Sequence, residues 1–77
     1  MNYKINVQAV YELNGQKYSK VKTYTYGHYD PVLNPNGLYS AKDFKYLQEK
    51  SKIDLTDTLI KQGAQKIRCT VASAIEN

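Results

Sequence analysis

A thiol beside an imidazole is the simplest route to nucleophilic catalysis, and this 77-residue chain holds one of each, Cys69 and His28. The thiol must reach its base to be activated. Cys69, however, shares the parity of Ile67 and Val71 in an extended segment, the pattern of a small buried hydrophobe. His28 with Asp30 offers two candidate metal ligands where three or four are usual, so a lone surface histidine is the better account. Asp54 and Asp57 suit helix capping better than a catalytic carboxylate pair. No glycine-rich phosphate loop occurs. A small hydrolase or metal enzyme is therefore the least supported reading. No catalytic residue, metal, cofactor or small-molecule substrate is expected.

A different chemistry is written into residues 18–26. Tyr18, Lys20, Lys22, Tyr24 and Tyr26 occupy every second position, so a β-strand projects all five from one side of a sheet. Rings among cations suit two kinds of contact. Tyr is a frequent hot-spot residue where proteins meet. Rings also stack on the bases of single-stranded nucleic acid while ammonium groups neutralise phosphates. The chain lacks the glycine-aromatic signature of the common RNA-recognition sheet, and Tyr and Lys also occur on strands for packing and for edge protection.

Which side of the sheet carries this stripe depends on the hairpin that precedes it. From Tyr3 to Leu13 the odd positions are apolar (Tyr3, Ile5, Val7, Ala9, Tyr11, Leu13), whereas Lys4, Asn6, Gln8 and Glu12 are polar, the signature of a half-buried strand. Asn14-Gly15 then marks a tight turn into a second strand over 17–26. A two-residue type I′ turn pairs Leu13 with Gln16 and sets Lys22 opposite Val7 and Lys20 opposite Ala9, on the core face. A three-residue loop with a bulge pairs Glu12 with Gln16, sets Val21 opposite Val7, and turns the lysines outward. Burying unpaired ammonium groups costs several kcal/mol. The bulged register is preferred on that ground, unless the lysine stems escape past the sheet edge.

Residues 27–39 break periodicity, with Asn34-Pro35-Asn36-Gly37 reading as a turn. Ser40 and Asp43 mark a helix start, Ala41, Phe44, Leu47, Leu55, Leu59 and Ile60 follow helical spacing, and Gly63 is a natural stop. Ser51-Lys52-Ile53-Asp54 interrupts the apolar stripe, so either one bent helix or two in series is expected. Residues 65–72 form a last strand, with Ile67, Cys69 and Val71 facing the helix and Lys66, Arg68 and Thr70 facing away; residues 73–77 are expected to fray.

The fold class that follows is α+β: a single small ββαβ domain over 1–77, with an antiparallel sheet in order 2-1-3. Helices cover the face built by Ile5, Val7, Ala9, Val21, Ile67, Cys69 and Val71. The other face stays open, carrying Lys4, Tyr18, Lys20, Lys22, Tyr24, Tyr26, Lys66 and Arg68.

A chain this short buries only about 60% of its unfolded surface, which makes a second copy or another protein a natural partner. One cysteine permits no internal disulfide. No signal-peptide-like or membrane-spanning apolar run is present, which points to the cytoplasm. Eleven basic against seven acidic residues give a net charge of +4, a mild preference for polyanions. Abundant Tyr, Asn and Lys also fit a genome of low G+C content, so placement carries more weight than composition. A non-enzymatic protein-interaction module, possible as a homodimer or a small inhibitor or regulator, is the leading expectation; single-stranded nucleic-acid binding by the same residues is second.

Overall fold

The computed structural model describes residues 2–76. Three long strands, β1 (Asn2–Leu13), β2 (Gln16–Gly27) and β3 (Gln65–Glu76), form an antiparallel sheet in order β2-β1-β3. One helix, α1 (Phe44–Lys61), packs on one face, preceded by a single 3₁₀ turn at Ala41–Asp43. The α+β class, the element order and the strand order agree with the alternation and turn chemistry of the chain.

The hairpin register does not. Leu13 pairs with Gln16, Val7 with Lys22 and Ala9 with Lys20, so the preferred bulged loop is absent. Asn14 (φ 53°) and Gly15 (φ 79°) are both left-handed, as a two-residue type I′ turn requires. Asn is among the few residues that tolerate that region. The burial penalty that argued against this register never arises. β2 is an edge strand that α1 barely touches, and Lys20 is half-exposed and Lys22 exposed beside the helix. Val21, expected in the core, lies on the opposite face and is 60% exposed.

Among the described residues, the seven fully buried apolar side chains all belong to β1 and α1: Tyr3, Ile5, Val7 and Ala9 below, Leu47, Leu55 and Leu59 above. Ile67, Cys69, Val71, Tyr24 and Tyr26 pack around them, half-buried. Each fully buried Leu, Ile or Val stabilises the fold by about 1.5–3 kcal/mol. The central strand is thus the one with the cleanest alternation, because only a strand flanked on both sides and covered by the helix has a dry face, here from Tyr3 to Ala9.

α1 is one continuous helix. Ser51 sits inside the apolar stripe fully buried, and its hydroxyl is satisfied there: Oγ donates to the Leu47 carbonyl at 2.8 Å and lies 3.0 Å from the Tyr26 hydroxyl. Ile60, assigned to the stripe from its spacing, is 58% exposed on the outer side of the helix. At the start, Asp43 Oδ2 accepts from the Ser40 backbone N–H at 2.9 Å, but the first turn is 3₁₀ and the α-helix begins at Phe44.

Residues 73–76 are strand, not frayed ends; Asn77 lies outside the described residues. Two register shifts make this possible. One near Ala72 lets both Val71 and Ala74 share the helix face, and the other places Lys66 at φ 53° between Arg68, opposite Val10, and Gln65, opposite Glu12. A strict two-residue period cannot follow a strand through a bulge, so the extension past Ala72 is invisible to alternation.

The loop between β2 and α1 is tied by named bonds. Asp30 Oδ1 accepts from the N–H groups of Val32 and Leu33, both at 2.8 Å, and these hold its carboxyl below the usual range. Gly37 N–H donates to the Asn34 carbonyl at 3.1 Å, closing the expected Asn-Pro-Asn-Gly turn.

Candidate interaction surface

The register divides the eight candidate residues between two faces. Lys4 and Arg68 project from the uncovered face; Tyr18, Lys20, Lys22, Tyr24 and Tyr26 lie on the helix side; Lys66 sits at the bulge, with Nζ 3.1 Å from Glu12 Oε2. A single basic-aromatic platform on the open face is therefore not formed. That face carries instead a polar ladder across the strands, in which Asn6 accepts from Thr23 and donates to Ser73 at 2.7 Å. Val10, Val21 and Ile75 stand exposed around it, and no aromatic ring does.

On the helix side the five-residue stripe is intact but unequally available. Tyr26 is half-buried, edge-on to Tyr39 at 5.5 Å and within hydrogen-bond distance of Ser51. Tyr24 packs against the core; burial foremost, then the Asp54 carboxylate, pushes its phenol above the usual value. Lys22 Nζ lies 5.2 Å from the Tyr24 ring centroid. Tyr18 remains 43% exposed and stacks on Tyr11 across the hairpin at 5.8 Å. These two rings wall a cleft of about 480 Å³ that Lys17 and Lys66 also line.

Ion pairs form on the helix and at Lys66 but, among the described residues, not along β2. Lys50 pairs with Asp54 and Lys52 with Glu49, each at 3.1 Å. Lys4, Lys17, Lys20, Lys22 and Arg68 make no ion pair among the described residues. Three of these five stand on β2, whose 12 residues include no acid.

The groups with catalytic potential are scattered. His28 Nε2 is 3.4 Å from Glu76 Oε1, and its ring meets Tyr3 edge-on at 5.1 Å, at the start of β1. Cys69 pairs with Ala9, six residues further along that strand or about 20 Å away at strand rise, and its Sγ is 3.3 Å from Thr56 Oγ1. Thiol and imidazole therefore do not meet. No cluster of three His, Cys, Asp or Glu positioned for a metal occurs among the described residues, and no helix there is long and apolar enough to cross a membrane.

Sequence reasoning missed the cost carried by Tyr3. Its hydroxyl is buried with no hydrogen-bond partner, and burial, reinforced by Glu76 and Asp43, raises its pKa. Tyr3→Phe is expected to stabilise the fold at neutral pH by about 1 kcal/mol, because it removes an orphaned polar group. The wild type should also lose stability in alkali. Tyr3 and Tyr24 have folded pKa values above the unfolded value near 10, so the unfolded chain releases protons that the folded chain retains. Stability is full below about pH 10 and falls as pH rises toward the folded values. Urea midpoints from pH 7 to 11 should show this fall, shallower in Tyr3→Phe; an unchanged slope would assign it elsewhere.

Comparison of the chain with protein-family models, with curated proteins and with solved structures finds no match.

Proposed function

We propose that this chain is a non-enzymatic recognition module that acts by protein–protein contact. The supporting observation is the stripe on β2: Tyr18, Lys20 and Lys22 remain available on a strand that has a free edge, and the lysines there have no acid partner. An uncompensated charged strip beside unpaired backbone favours a complementary partner.

That partner is a different protein in preference to a second copy. β3, the other edge, carries Lys66 and Arg68 and no acid before Glu76, so edge-to-edge association of copies sets cation against cation. Single-stranded nucleic acid is the alternative, supported by the same lysines. It is the weaker reading because Tyr24 and Tyr26 are committed to packing, which leaves Tyr18 as the free ring of the stripe.

Tagged chain recovered from source-cell extract after nuclease treatment should carry a protein at near-stoichiometric ratio, and Lys20→Glu with Lys22→Glu should release it. Recovery of nucleic acid alone when nuclease is omitted, with oligonucleotide affinity falling steeply with salt, would favour the alternative.

A further inference from the structure

We propose that the free edge of β2 is a strand-addition site for an acidic extended segment with carboxylates at alternate positions. This names the partner chemistry of the protein-contact reading and rests on it. The two edges of the sheet differ in regularity. β1 and β2 pair without interruption from Asn2↔Gly27 to Leu13↔Gln16, so the far side of β2 presents an unbroken row of backbone donors and acceptors. β3 is broken by two register shifts, a device that spoils an edge as a template. The edge fit to receive a strand is therefore β2.

Charge selects what the edge receives. Lys20 and Lys22 project to one side of the sheet, about 6.7 Å apart at strand spacing, which is also the spacing of alternate side chains on an added strand. Carboxylates at those positions meet the ammonium groups in register, whereas a lysine-rich strand, including another β2, is repelled. Such lysines on an edge are a recognised safeguard against self-pairing, and the same arrangement admits a segment of opposite charge. A polyphosphate chain matches the cations but has no amide N–H to satisfy the carbonyl groups of the edge.

The test uses the full chain and four probes at 50 mM salt: a ten-residue peptide alternating Glu and Thr, the same peptide with two central prolines, its Lys-for-Glu counterpart, and oligo(dT). The acidic peptide is expected to bind, to slow amide exchange in β2 while leaving β3 unchanged, and to lose at least tenfold in affinity in Lys20→Glu/Lys22→Glu, whose sites, one half-exposed and one exposed, leave folding intact by circular dichroism. The proline-interrupted and lysine peptides are expected not to bind. Equal binding of the proline peptide would reduce the contact to charge alone and overturn strand addition; binding of oligo(dT) without the acidic peptide, or of neither, would overturn it too. Exchange protection on the captured protein complex separates the two levels: a bound protein that leaves β2 unprotected removes the edge site while the protein-contact function stands.

Discussion

Leu55→Ala is expected to destabilise the fold by about 2–5 kcal/mol, enough to unfold much of the population of so small a domain at 37 °C. Leu55 is fully buried in the α1 stripe, between Ser51 and Leu59, and faces the dry side of β1. Truncation removes apolar contacts and leaves a cavity with little freedom to collapse. The floor of the core is the β1 backbone, held by hydrogen bonds to both neighbours, and the next side chains along the helix stripe are Ser51, engaged with Leu47 and Tyr26, and Leu59. Ile53→Ala is the internal control. It lies on the same helix two residues earlier, 58% exposed, and its loss should cost a small fraction of that. Urea titrations of both variants decide the matter; equal midpoints would mean that α1 is not docked by this face.

The contrast between those two isoleucine and leucine positions marks what the chain makes legible. β1 is readable because its alternation is broken only at Val10, and a strand buried on one face by neighbours on both sides obeys alternation best. The helix start at Ser40 and Asp43 and the turns at Asn14-Gly15 and Asn34–Gly37 were readable from residue chemistry that local backbone geometry demands. β2 was not. Its residues alternate, but Tyr and Lys on one parity against Val and Thr on the other do not say which parity faces inward. The deciding fact, that an edge strand lets a lysine face the core side without being buried, belongs to the assembled sheet. The site shares that fate: alternation marks the five-residue stripe as a unit, but its face follows the register, and Lys4, Lys66 and Arg68 separate from it. The strand beyond Ala72 depended on a bulge, which resets parity at a position no alternation can announce.

Gly37→Ala should be the most damaging single change outside the core, costing on the order of 1–3 kcal/mol, the range for overpacking a well-filled site. A Cβ at Gly37 would fall inside the van der Waals envelope of the His28 carbonyl and 2.8 Å from Asn34 Nδ2, which itself donates to that carbonyl at 2.6 Å. The obstacle is backbone, so no side-chain rotation relieves it. The segment has little room to shift: Tyr29 N–H donates to the Tyr39 carbonyl at 2.7 Å and Tyr39 N–H to the Gly27 carbonyl at 3.2 Å, so the two arms of the loop are clamped at its neck. Those clamps deliver the chain from the end of β2 to the start of α1, where Phe44 stacks on Tyr3 at 5.0 Å. Displacing Gly37 therefore loosens the helix N-terminus as well as the loop. Gly63→Ala provides the contrast, since its φ of +88° exacts a conformational cost with nothing within 4 Å of the added methyl. Thermal melts should rank Gly37→Ala below Gly63→Ala, and amide exchange should accelerate at Tyr29, Tyr39 and the first turn of α1 in the former only. The reverse ranking would place the neck of the loop outside the cooperative fold.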